Sequence, residues 1–558
     1  MNSTLPAFYQ KYWNFFLKES PTLATVLGYP GYNHQLPDLS EAHHFGQLAT
    51  IQSLLKELQS IPTETLEDQV NTQILEILLQ ERIAYHSLNA YLLPLNPLFG
   101  PHLDIPQVLA CHPLHTLQDL EDYWSRLRGF QTLIQQCIDL MEKGIEKKVV
   151  LPRILTEKCL AQIQAQQVSA VEKSAFYRPF LALQGFSPEE EKEFQEKTRS
   201  LIQDYVLPSF SRLYHFLQNT YLPQGKEEVG LWTLPQGEHE YAYWIQHHTT
   251  TTLSATEIHE IGWQELETIQ EQMKKIQVQV GFSGTLKDFI DHLRSDPQFY
   301  YNSETELVEG FRGILQKMDQ KLPELFNQLP QAPYELKPVE EYRAESAPEA
   351  FYFPSSLDGS RPGYFYINTS NIKSRPKYQM EVLAYHEAVP GHHLQIALAQ
   401  QMELPEFRRV SAFTGYAEGW ALYSEVLPKE IGLYQDPYSE FGRLSFDALR
   451  AARLIVDTGI HFFKWTREKA IDFYLKNTCL SERSVVSEID RYIAYPAQAL
   501  SYKIGQRKIL ELRREAEKKL GSRFDIKAFH HKILQHGSLP LTLLEKLFQK
   551  WLEPQILE

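Results

Sequence analysis

The residues best equipped for chemistry lie in one short stretch, Tyr385-His-Glu-Ala-Val-Pro-Gly-His-His-Leu394. It packs three histidines and a glutamate into eight residues, 386–393. A helical H-E-x-x-H motif sets two imidazoles one turn apart on a zinc ion, with the glutamate acting as general base on water activated by the metal. Here the fourth residue after His386 is Pro390, which has no donor to offer. On an unbroken helix His392 would lie about 9 Å along the axis and on nearly the opposite side, and His393 about 10.5 Å away on the same side. Neither can share an ion with His386 at Zn–N distances of about 2.0–2.1 Å. The helix must therefore be distorted, and Pro390-Gly391 supplies the means. Proline clashes with the carbonyl four residues back, and glycine tolerates conformations closed to other residues. Removing the two in thought restores H-E-A-V-H. This favours His392 as the second ligand, with His393 as the rival.

A catalytic zinc site needs a third protein ligand and an open fourth position. The best donors lie in Gly415-Tyr-Ala-Glu-Gly-Trp-Ala-Leu-Tyr-Ser-Glu425, which reads as a helix with Glu418 and Glu425 on one side. Glu418 follows His392 by 26 residues, enough for a second helix to return alongside the first. Glu418 is the expected ligand and Glu425 the fallback. Glu387 is the expected proton acceptor. A donor to the developing oxyanion is also required, and Tyr502 is the first choice, ahead of Tyr495 and Gln498. Asp457 and His461, at i and i+4, form a candidate carboxylate–imidazole pair that either sets His461 near the metal or facing the substrate, or makes a purely structural hydrogen bond. The strand-like Tyr364–Thr369 offers an edge for an extended peptide. Arg361, Arg491 and Arg507 are candidate holders of a substrate carboxylate. His259-Glu260 is a decoy, because Trp263 stands where a second histidine would be needed. No G-x-S-x-G, G-x-G-x-x-G or G-K-[ST] occurs, so serine-hydrolase, dinucleotide and P-loop chemistry lack their usual signals.

The elements that must position these residues are mostly helices. Leu48, Ile51, Leu54, Leu55 and Leu58 recur at three- and four-residue spacing over 45–60. Similar patterns cover 70–90, 117–143 and 189–217, while the proline-rich 92–106 reads as a loop. Pro223-Gln-Gly225 breaks the chain, and Gly230-Leu-Trp-Thr233 follows as a short strand-like piece. Ser254 and Glu257 mark a capped helix start. Arg361-Pro-Gly363 and the aromatic run after it predict a turn and a short strand. With 558 residues the chain is expected to form two lobes, residues 1–225 as an N-terminal helical lobe and 226–558 as a catalytic helical lobe.

Beyond the histidine motif, several segments carry a resemblance that spans essentially the whole chain: Glu19-Ser-Pro-Thr-Leu-Ala-Thr-Val-Leu-Gly28, Arg361-Pro-Gly-Tyr-Phe-Tyr366, Glu418-Gly-Trp-Ala-Leu-Tyr423, Asp457-Thr-Gly-Ile-His461 and Pro496-Ala-Gln-Ala-Leu-Ser-Tyr502. Together with H-E-x-x-P-G-H-H they resemble the bacterial family called domain of unknown function 885. The resemblance implies a zinc metallopeptidase of mainly helical, gluzincin-like fold, two-lobed and clefted like neurolysin, with a small β element near the active-site cleft. It names no substrate. Ala497 departs from the pattern, where glycine is expected.

The expected function is thus a metallopeptidase with one zinc ion per chain, acting on a peptide or small amide. A zinc hydrolase of other amides or esters, or a metal-containing binding module, are the alternatives. A net charge of −15 without a long Lys/Arg run argues against nucleic acid. Cys111, Cys137, Cys159 and Cys479 are scattered and read as free thiols. The N-terminal segment lacks a clean apolar stretch, and no run of 18 apolar residues occurs. A cytoplasmic location without a membrane partner is the expectation.

Overall fold

A computed structural model describes residues 4–340, 348–356 and 361–557. The protein is mainly helical, with one small three-stranded sheet. It divides into two compact units, residues 1–240 with 493–495, and residues 241–492 with 496–558.

In the first unit the longer helices are α1 (Leu5–Glu19), α2 (Glu41–Leu58), α3 (Leu66–Ser87), α4 (Pro101–Ala110), α5 (Leu117–Lys147), α6 (Arg153–Gln166), α7 (Pro188–Leu201) and α8 (Leu207–Phe216). The periodic stripes explain them. In α2 it is Ile51, Leu54 and Leu58 that are buried. In α5 a capping box of Thr116 and Asp119 starts a 31-residue helix whose inner face carries Leu120, Leu127, Ile134 and Met141. Two expectations fail here. Residues 92–106 are not all loop, because Pro101 stands at the first turn of α4, where its fixed φ and missing N–H suit a helix start. The strand-like Gly230–Thr233 instead closes a 3₁₀ turn over Leu231–Thr233, and among the described residues no strand pairs with it.

The second unit contains α9 (Ala255–Gln279), α10 (Glu304–Leu325), strands β1 (Tyr334–Pro338), β2 (Ala350–Phe353) and β3 (Gly363–Ile367), then α11 (Met380–Glu387), α12 (His392–Gln400), α13 (Thr414–Ser424), α14 (Pro437–His461), α15 (Glu482–Ala494), α16 (Ser501–Leu520) and α17 (Ile526–Leu534). Nearly every residue of α14 is buried, including Arg443, Arg450, Arg453 and Asp457. It is the central rod of this unit, and α9 packs along it. Helices α13 and α16 also run in close contact. A Cβ on Gly505 would sit 1.9 Å from the Gly415 carbonyl oxygen, and one on Gly419 2.5 Å from Gly505. Only glycine permits that approach.

The sheet order is β1-β3-β2, with β1 parallel and β2 antiparallel to β3. This corrects the expectation that Tyr364–Thr369 offers a free edge. The strand ends at Ile367 and is central, paired on both sides, so its ladder is spent. The edges belong to β1 and β2. Residues 357–360, between β2 and β3, lie outside the described residues. No described helix is long and apolar enough to cross a membrane.

Candidate metal centre

Helix α11 carries His386 and Glu387 in its last turn. It stops there because Pro390 has no N–H and its ring cannot pass the His386 carbonyl in a helix. Ala388 (φ −97°, ψ −101°) and Gly391 (φ −82°, ψ −126°) leave the helical region, Val389–Pro390 is a cis peptide, and α12 begins at His392. The chain folds tightly onto its own end: a Cβ on Gly391 would lie 1.9 Å from the His386 carbonyl oxygen and 2.5 Å from that of Tyr385. The break sets the His386 and His392 rings 4.9 Å apart, at 89°. The distortion read from the sequence is therefore present, as a helix break spanning 388–391.

Helix α13 brings the carboxylate. Its glycine face is spent on α16, which leaves Glu418 directed at the two histidines. Glu418 Oε2 lies 3.6 Å from His386 Nε2 and 3.5 Å from His392 Nε2. Two hydrogen bonds fasten α13 to the break and to α11. Trp420 Nε1 donates to the Pro390 carbonyl (3.0 Å), and Ser424 Oγ donates to that of Tyr385 (3.2 Å).

One ligand atom from each of His386, His392 and Glu418 falls within 4.8 Å of the others, the one such group found among the described residues. The donor set, two imidazole nitrogens and a carboxylate oxygen, is that of a zinc site with an open position. Glu418 Oε2 is buried and accepts no hydrogen bond, with the two imidazole nitrogens at 3.5 and 3.6 Å its nearest ion-pair partners, as expected of an oxygen placed for a cation. Side-chain exposure rises from 6% at His386 to 14% at His392 and 19% at Glu418, so the set is approached from the latter two. Burial alone would depress the His386 imidazole, but Glu418 and Glu425 outweigh it and lift it to about 9. Burial raises Glu418, yet both histidines hold it well below the usual carboxylate range. Such a set exchanges protons for a cation.

Glu425 was the fallback ligand. The structure gives it another place: Oε1 is 2.7 Å from His386 Nδ1, on the far side of the ring from Glu418. A carboxylate at Nδ1 fixes the tautomer that leaves Nε2 free to bind metal. Arg450 Nη2 stands 3.9 Å beyond, at the same carboxylate oxygen. Sequence reasoning missed Arg450 because arginines at 443, 450 and 453 look like a solvated helix face, and only packing shows α14 to be enclosed. It also missed Tyr352. The backbone N–H of this edge-strand residue donates to Glu387 Oε2 at 3.0 Å and holds the carboxylate by one oxygen.

His393 is outside the group. Consecutive helical residues diverge by about 100°, and its ring turns to the sheet, with Nδ1 2.9 Å from the Tyr352 hydroxyl and the ring centre 4.7 Å from that of Tyr334. Burial pushes it down to about 4. Of the two rivals, His392 is the one that lies with His386 and Glu418. His461 is also away from the group: its Nε2 is 3.0 Å from the Tyr492 carbonyl oxygen, and burial pushes it down to about 4. Asp457 accepts from the Tyr241 hydroxyl (2.7 Å) and from the Ala497 N–H. A catalytic role for His461 does not follow from this geometry.

Tyr502 lies in the first turn of α16. Burial raises its phenol, as does the charge of Glu418, while Arg453 and Arg491 lower it. It is thus in electrostatic reach of the ligand set. Gln498 accepts from Arg491 (2.7 Å), and Tyr495 packs on Phe99. Arg361 is committed to the Pro354 carbonyl and the Phe353 ring, and Arg507 to Glu265. His259, the decoy, bonds to Thr458 from a regular helix.

The fold recurs in two solved structures. One is of a protein from Colwellia psychrerythraea described as a "putative lipoprotein", with a TM-score of 0.93 at 29% identity over 99% of both chains. The other is of a "putative lipoprotein of unknown function" from Shewanella oneidensis, with a TM-score of 0.76 at 17% identity over 98% of this chain and 100% of that one. No curated protein matches. A family model described as "Bacterial protein of unknown function (DUF885)" matches residues 21–548, nearly the whole chain, and to that family the protein belongs.

Proposed function

We propose that this protein is a zinc-dependent hydrolase of peptide bonds, built as a gluzincin. The observation that carries the reading is the convergence of His386 Nε2, His392 Nε2 and Glu418 Oε2 on one point, with Glu387 next to His386 in the same helical turn. Zinc in such a set supplies a Lewis acid for a carbonyl oxygen and for water. The chain's own residues do the rest. Glu425 holds His386 in the ligating tautomer. Glu387, fixed by the Tyr352 N–H through one oxygen, uses the other to take a proton from the attacking water and return it to the leaving amine nitrogen. Tyr502 is the candidate donor to the oxyanion that forms on the substrate.

The test begins with elemental analysis of the purified chain beside a His386→Ala/Glu418→Ala double variant. About one zinc per chain, lost in the double variant, is expected. Glu387→Gln is expected to keep the metal and lose turnover of short peptides. Full activity in that variant rules out the mechanism, and no zinc uptake by the parent rules out the site.

A further inference from the structure

Around Tyr502, whose phenol feels the charge of Glu418, the second unit holds a buried cluster with more positive charge than it uses. Arg453 on α14 donates from Nε to the Tyr492 hydroxyl (3.1 Å) and from Nη2 to Glu488 (2.9 Å), and its guanidinium lies 4.4 Å over the Tyr502 ring. Arg491 on α15 donates to Gln498 (2.7 Å) and to the same oxygen of Glu488 (3.3 Å). Two guanidiniums therefore share one carboxylate. Arg453 Nη1 and Arg491 Nε are buried charged donors with no acceptor in reach.

The neighbouring acids do not make up the deficit. Glu418 is engaged with the two histidines. Asp490 is paired with Arg467 at 2.6 Å. Asp457 has its oxygens on Tyr241 and Ala497, and burial pushes it up to about 7, so at neutral pH it carries only part of a charge. A buried cation short of its counter-ion is destabilising. It is accounted for if a ligand brings the missing anion. Arg491 is the member that solvent reaches, with 23% of its side chain exposed.

We infer that Arg453 and Arg491 receive a carboxylate of the substrate, with the planar guanidinium as the matching group. The inference rests on the peptide-hydrolase reading and narrows it to peptides that present a carboxylate beside the scissile bond. The carboxylate is either the C-terminus or an Asp/Glu side chain.

Calorimetry on the zinc-loaded Glu387→Gln protein tests this without turnover. Three probes are compared: a tripeptide with uncharged side chains as free acid, the same tripeptide as C-terminal amide, and an amide carrying Glu as its last residue. A carboxylate-bearing probe, the free acid or the Glu-bearing amide, is expected to bind at least ~10-fold tighter than the plain amide, as a charge-assisted bond implies. Arg491→Gln is expected to bring the two within about threefold, and Arg491→Lys to restore part of the gap. Tight binding by the Glu-bearing amide identifies the side chain as the source. Its failure to bind identifies the C-terminus. Equal binding of all three probes by the parent overturns the inference, as does a gap between carboxylate-bearing probe and plain amide that survives in a folded Arg491→Gln chain. The parent comparison needs no folded Arg491 variant. Selective binding with no cleavage by the intact chain would remove the hydrolase reading and leave the carboxylate receptor standing.

Discussion

Gly391→Ala adds a single methyl group at the break between the two histidine ligands. The Cβ would meet the His386 carbonyl oxygen at 1.9 Å, the Tyr385 carbonyl oxygen at 2.5 Å and the His386 carbonyl carbon at 2.6 Å. Ordinary carbon–oxygen contact is about 3.3 Å or more, so the turn must open by over ~1 Å. All three obstacles are backbone, and no side chain can rotate away. Relief has to come from moving α12 against α11, which carries His392 off His386. Metal sites tolerate about 0.2 Å of ligand displacement. Zinc affinity should fall at least ~100-fold, the upper range seen for disturbed ligand support, and stability should drop by about 1–3 kcal/mol. Gly313→Ala is the control: it sits inside α10 with nothing within 4 Å of the added carbon, and should stabilise by about 0.5–1 kcal/mol. The assay is chelator competition for zinc, paired with thermal melts of the metal-stripped chains. Zinc affinity within threefold of the parent in Gly391→Ala would refute the claim that the glycine exists to bring the two histidines together.

Glu425→Gln keeps the shape but removes the charge at His386 Nδ1 and turns an amide toward Arg450. Zinc affinity measured by the same competition should weaken about 10- to 100-fold. His393→Gln should still bind about one zinc per chain, whereas His392→Gln should not. Losing the Tyr352 bond in His393→Gln should appear only as a melting loss of about 1–2 kcal/mol. Asp457 is lifted by burial to about 7 from an ordinary value of 3.8, so the folded chain holds a proton that the unfolded chain has released. This contribution is present below about pH 4 and lost as pH rises toward 7. Denaturant titrations of Asp457→Asn against the parent should show that slope flattened. Ala497 occupies the left-handed region at φ 64°. Ala497→Gly should raise stability by about 1 kcal/mol in urea melts.

Local chemistry alone determined much of this protein. Pro390 and Gly391 dictate a break after Glu387, because one residue cannot continue a helix and the other can bend where no side chain fits. Three-residue and four-residue apolar spacing dictated helices over α2, α3 and α5. Both effects act within a few residues, so both are legible in a string of letters. The tertiary structure decided which charged residues are enclosed. Arg450 and Arg453 look like a wet helix face until α14 is seen to be buried from end to end. It also decided that Glu425 faces Nδ1 of His386 while Glu418 faces Nε2, since two carboxylates seven residues apart share a helix side in sequence and are told apart only by where that helix is docked. Glycine-to-glycine contact between α13 and α16 sets that docking. Likewise the strand from 363 to 367 is central because partners from 334–338 and 350–353 reach it, and pairing between distant segments leaves no mark on the letters of any one of them.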